Sequence, residues 1–165
     1  SAEEVKAVKS GKLAGLLYPE HTPAMPERGN FLPEMSMAAI DLLDDNKKGF
    51  FLMIEGSQID WAGHDNDGNR VPLEVIDLDK TIGRVLDYAR RKGNTLVIVT
   101  ADHETGGLTL PDGNLKTNTI KPAFSTKNHT GVMVPVFAFG PGAEEFTGFM
   151  ENTDFKKKIS ALLKL

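Results

Sequence analysis

Three short apolar runs, set among stretches of helical period, constrain this chain more than any other feature. Gly49 to Ile54 (Gly-Phe-Phe-Leu-Met-Ile) is continuously apolar, the pattern of a strand buried on both faces. Thr95 to Thr100 (Thr-Leu-Val-Ile-Val-Thr) is rich in β-branched residues and reads as the strongest strand. Val132 to Phe139 reads as another, ended by Gly140-Pro141-Gly142. Pro33 to Asn46 places Met37, Ile40, Leu42 and Leu43 on one side of an amphipathic helix, with Pro33 tolerated in its first turn. A longer helix spans roughly Leu73 to Arg91. Val75, Leu78, Ile82, Val85, Leu86 and Ala89 mark its inner face, and Lys92-Gly93 is its stop. Thr153 caps a last helix running to about Leu163. Strands alternating with helices imply an α/β sheet sandwiched between helical layers.

The remaining segments are weaker. Lys12 to Tyr18 reads as a short buried strand after a polar helical turn, and His21 to Asn30, with Pro23, Pro26 and Gly29, as loop. Residues 111–128 are rich in Asn, Thr and Lys and read as an excursion with little regular structure. No repeat or linker divides the 165 residues, which suit a single domain.

Composition excludes several classes. A net charge of −4 with dispersed lysines gives no electrostatic footprint for nucleic acid or anionic lipid. The one run, Lys156 to Lys158, reads as a solvated helix face rather than a binding patch. There are no cysteines, so disulfides and thiolate metal sites are excluded. No apolar run approaches the roughly 18 residues of a membrane span, and Ser1-Ala2-Glu3-Glu4-Val5 has no signal-peptide pattern.

Polar residues gather where an open α/β sheet puts its chemistry, beyond the carboxyl ends of the strands. Glu55 directly follows one apolar run, and Asp102-His103 follow another. In Glu55-Gly56-Ser57-Gln58-Ile59-Asp60-Trp61-Ala62-Gly63-His64, Asp60 and His64 are four apart and would share a helix face. A carboxylate oxygen and an imidazole nitrogen so placed suit zinc. Alone, such a pair is more often an ordinary surface feature than a metal site. In Thr100-Ala101-Asp102-His103-Glu104-Thr105-Gly106-Gly107, the chain can turn past the strand and aim Asp102 and His103 at one ion, the two glycines allowing the sharp path. The same pair could equally bond the turn's own backbone. His129, in Asn128-His129-Thr130-Gly131, is a surface histidine or a third ligand.

Taken together, the Glu-Gly-x-x-Ile-Asp-x-x-x-His, Thr-Ala-Asp-His and His-Thr-Gly segments resemble, in order and internal spacing, the C-terminal metal-binding segments of alkaline phosphatases. Asp77-Leu78-Asp79, the Asn94 to Val99 run and Phe139-Gly140-Pro141-Gly142 agree with the same family. The resemblance implies the C-terminal portion of a three-layer α/β/α sandwich, with 1–165 as a single partial domain. It also implies zinc-dependent hydrolysis of phosphate monoesters, releasing inorganic phosphate, in a periplasmic or secreted protein. By position, Asp60, His64 and His129 resemble ligands of a first zinc, Asp102 and His103 ligands of a second, and Glu55 a magnesium ligand. In the family a serine activated by the second zinc attacks the ester and forms a phosphoseryl intermediate.

That serine belongs to an Asp-Ser-Ala/Gly segment, and Ser36, Ser57 and Ser125 do not match it. The aspartate shared by the second zinc and magnesium, the phosphate-clamping arginine and the other magnesium ligands also have no match. The expectation is therefore a chain with one zinc triad and parts of two other sites, inactive alone. It would self-associate through the face its missing neighbours cover, or rearrange its first 30 residues over that face. The alternatives are a non-catalytic zinc-binding domain and a sulfatase or phosphomutase relative. His21 matches no ligand motif. Trp61 stands where better-known members carry Lys or His, and could alter phosphate affinity or simply cover the site.

Overall fold

A computed structural model describes residues 1–164. Five helices carry the framework: α1 Ala2–Ala7, α2 Phe31–Leu43, α3 Gln58–His64, α4 Arg70–Lys92 and α5 Asp154–Leu163. Six short strands form three antiparallel pairs. Val97–Val99 (β1) pairs with Phe137–Phe139 (β6), Glu104–Thr105 (β2) with His129–Thr130 (β5), and Thr109–Asn114 (β3) with Thr119–Ala123 (β4). Helix α4 packs on α2, α3 and β1, and a 3₁₀ turn at Ala143–Phe146 packs on β6. The chain is a mixed α/β structure in which α4 is the common support.

Helix α4 ends as its sequence predicts. Arg90, Arg91 and Lys92 occupy the last turn, where cations complement the helix dipole, and Gly93 takes a left-handed conformation (φ 73°). Its buried stripe differs from the apolar face expected. Glu74, Asp77, Thr81, Tyr88 and Ala89 are buried, Val75 is exposed, and Leu78, Ile82, Val85 and Leu86 are half-buried. The reason is Arg28. Its guanidinium donates to Glu74 at 2.6 Å and to Asp77 at 2.7 Å, all three side chains being buried. It also donates to the Pro23 carbonyl, and the Met25 N–H donates to Glu74, so the proline-rich loop is fastened to α4. Burial lowers the Arg28 pKa, but the bonds to Asp77 and Glu74 outweigh that and raise it overall.

Three further expectations fail. Residues 12–18 form no strand, and Leu16 is almost fully exposed. Residues 49–54 are in neither helix nor strand, with Phe51 and Met53 exposed and Leu52 and Ile54 half-buried. An apolar run becomes a strand only where a neighbour takes its backbone hydrogen bonds, and among the described residues none pairs with either segment. The polar excursion is instead ordered as the β3–β4 hairpin, its strands exposed and its turn helped by Asn118 in the left-handed region (φ 51°). The last helix begins at Asp154 with Thr153 as its N-cap residue, but the Thr153 side chain makes no capping bond.

Candidate metal centre

Helix α3 begins at Gln58, after Glu55, Gly56 and Ser57 have led the chain out of the 49–54 segment. Gln58 fixes it, donating to the Thr22 carbonyl at 2.9 Å and accepting from Arg70. Asp60 and His64 then project from one face, with His64 Nε2 3.4 Å from Asp60 Oδ2. His129 reaches the same place from β5. Its Nε2 lies 3.1 Å from His64 Nε2 and 3.5 Å from Asp60 Oδ1. Three ligand atoms thus converge from segments 65 residues apart.

The chemistry of these donors fits zinc. His64 Nδ1 lies 2.6 Å from the Lys127 carbonyl, an acceptor only, so Nδ1 carries the proton and Nε2 presents a lone pair to the cluster. Around a tetrahedral zinc with bonds of about 2.0–2.1 Å, ligand atoms stand about 3.3 Å apart. The two imidazole nitrogens, 3.1 Å apart, are close to that spacing, and each lies 3.4–3.5 Å from a different oxygen of Asp60. All three side chains are between one-third and one-half exposed, which leaves a side open to a fourth ligand.

Asp102 and His103 adjoin this cluster. His103 Nε2 is 3.1 Å from Asp102 Oδ2, and the His103 ring stacks on His129 with centroids 3.5 Å apart. The structure does not bring Glu55 into the group. It is exposed and borders a small cleft with Thr22, Arg28, Phe31 and Ser57. His21 and Trp61, unconnected in the sequence reading, meet as a tilted aromatic pair with centroids 5.0 Å apart on the rim of α3.

The supporting residues were not legible in advance. Glu104 accepts from the Thr130 hydroxyl and from the N–H groups of Gly107 and Leu108, tying the turn after β2 to β5. Partial burial pushes its carboxyl up, but those three bonds prevail and hold it below the usual range. Asn66, itself left-handed (φ 56°), sets its side-chain amide against the Gly63 and Thr126 carbonyls, and with its oxygen and nitrogen exchanged the nitrogen donates to both, linking the end of α3 to the segment before His129. Gly63 and Gly106 permit the close approach. A Cβ on Gly63 would fall 3.0 Å from the Thr105 side chain, and one on Gly106 (φ 89°) would fall 2.9 Å from the Gly63 carbonyl. Spacing in sequence shows that residues at i and i+4 share a helix face, but it does not show contacts made across a fold.

Fold and site together define a mixed α/β chain with a partly exposed cluster of two imidazoles and a carboxylate that could hold a metal ion. Comparison with known proteins gives the family. The alkaline phosphatase family model matches residues 3–122. Alkaline phosphatase 4 of Bacillus subtilis is 32% identical over 81% of this chain and 43% of its own length. The Escherichia coli alkaline phosphatase is 35% identical over 85% of this chain and 34% of its own length. Among solved structures, the alkaline phosphatase of the Antarctic bacterium TAB5 matches with a TM-score of 0.76 and 48% identity, over 83% of this chain and 42% of that one. A cold-active alkaline phosphatase of a Shewanella species matches with a TM-score of 0.89 and 27% identity, over 99% of this chain and 58% of that one. This chain belongs to the alkaline phosphatase family, and it spans less than half the length of these two curated relatives.

Proposed function

We propose that the chain supplies the zinc-binding portion of a site that hydrolyses phosphate monoesters, as a single partial domain over residues 1–165. The observation that carries the proposal is the convergence of Asp60, His64 and His129, with His64 already in the tautomer of a ligand. These three hold a first zinc, Asp102 and His103 contribute to a second, and Glu55 contributes to a magnesium site. Support for magnesium comes from a mutant of the TAB5 enzyme solved with Mg bound. When bound, such ions supply Lewis-acid stabilisation of the attacking and leaving oxygens of an in-line displacement.

The protein's own residues prepare that chemistry. Lys127 orients His64, β2–β5 pairing holds His129 beside His103, and the open side of the cluster admits phosphate. We place the nucleophile on none of Ser36, Ser57 and Ser125. Ser36 is buried and donates to the Leu32 carbonyl, Ser57 is the residue before α3, and Ser125 packs against Gly107. The chain alone therefore has no turnover of ordinary size. A steady-state assay of the pure chain on an aryl phosphate, with zinc and magnesium added, checks this. Rates within the usual enzyme range of about 1–10³ s⁻¹ would mean that one of these serines, or another group, is the nucleophile. A periplasmic or secreted setting belongs to the proposal as well. Among the described residues, no helix is long and apolar enough to cross a membrane.

A further inference from the structure

Thr105 is the residue that touches most of the cluster without belonging to it. Its hydroxyl bonds Asp60 Oδ1 and lies 3.2 Å from His103 Nδ1. Across the β2–β5 ladder its register partner is His129. The contact is built into the packing, because Gly63 of α3 leaves the space that the Thr105 side chain fills, and any Cβ there would collide with it.

A hydroxyl has one proton to give, and an ionised carboxylate can only accept. The Thr105 proton therefore points to Asp60, and a lone pair of its oxygen faces His103. Only an Nδ1–H on His103 satisfies that lone pair. In the neutral ring Nε2 is then unprotonated, facing Asp102 Oδ2 at 3.1 Å as one of two acceptors with no proton between them. The opposite tautomer would aim Nε2–H at Asp102, whose side chain is 84% exposed and solvated, while setting two lone pairs against each other at Thr105. We infer that Thr105 is a positioning residue that orients Asp60 and fixes the tautomer of His103 with one hydroxyl, and so prepares both zinc sites at once. The assignment of Asp60 and His103 to separate sites rests on the function proposed above; the hydrogen-bond chain does not.

Two variants of the full chain test it. T105V keeps the shape and removes the hydroxyl, while T105S keeps the hydroxyl. The tautomer of His103 is read in the metal-free chain by long-range ¹H–¹⁵N correlation at about pH 8.5, above the ordinary imidazole range, with its signals assigned by their loss in H103N. Zinc affinity is measured on the same samples by competition with a chelator. Wild type should show His103 protonated at Nδ1. T105V should lose that preference and bind zinc about tenfold more weakly, and T105S should restore both. If T105V does not fold, T105A replaces it. An unchanged tautomer in the variant without the hydroxyl overturns the inference, as does failure of T105S to restore it, because the role would then be one of shape. If wild type binds no zinc, the zinc reading fails by itself, and the tautomer result still decides the role of Thr105.

Discussion

Arg28 donates to two carboxylates of α4, 46 and 49 residues away, with all three side chains almost wholly out of water. Removing only the cation leaves Asp77 buried without its charged partner, and Glu74 with only the Met25 N–H and Arg70 at 3.7 Å, a loss worth about 3–5 kcal/mol. Arg28→Ala should therefore lower stability in urea by about that amount. Replacing all three residues with apolar side chains of similar volume should cost much less. A loss below about 1 kcal/mol for the single variant, the range of an exposed pair, would mean the cluster is wetter than described. The sequence points to Asp60, His64, His129, Asp102 and His103 through the family resemblance, because an Asp and a His four apart, or an adjacent pair, is a weak signal by itself. Arg28, Glu104 and Thr105 were not legible, since their partners are set by packing. His21 and Trp61 were noted separately, and only the structure shows them in contact.

At the scale of elements, α2 and α4 are joined at their carboxyl ends. Asp44, which follows α2, accepts from Tyr88 at 2.6 Å and meets Lys92 at 2.6 Å, and both are on α4. Lys92 and Tyr88, in that order, hold the Asp44 carboxyl below its usual range. Burial, and then the bond to Asp44, push the Tyr88 phenol up from 10.0 to about 12. A phenol whose folded pKa is raised holds its proton more tightly in the folded state. Its contribution is complete below pH 10.0 and is lost as pH rises through about 12. Wild type should accordingly lose stability more steeply than Tyr88→Phe across that window, measured as urea midpoints at successive pH values. Parallel curves would contradict the assignment. Both helices were legible from their 3.6-residue period. Of the strands, only parts of the 95–100 and 132–139 runs were realised, as β1 and β6, because pairing depends on neighbours that an apolar run does not specify. The β3–β4 hairpin gave no signal, since strands exposed on both faces need no alternation of apolar and polar residues.

At the scale of the molecule, large apolar side chains face solvent. Met53 is 75% exposed, Met133 76% and Phe137 65%. The first 30 residues do not cover them. Helix α1 lies on α2, where Lys6 meets Glu34, and Leu16 is itself exposed. The chain spans 43% and 34% of the two Bacillus subtilis and Escherichia coli relatives, and we propose that the remainder of such a fold covers this face. Exposed apolar surface and unpaired strand edges drive association. The chain should elute as an oligomer and bind a dye specific for apolar surface, by size-exclusion chromatography with light scattering and by fluorescence. A monomer that binds no dye would show that residues 1–165 are an autonomous domain. The measurement that bears most directly on the account is zinc content after dialysis, compared between the chain and its His64→Ala/His129→Ala variant by elemental analysis. The account predicts about one tightly held zinc per chain, lost in the variant. Equal zinc in both would mean that Asp60, His64 and His129 are not a metal site.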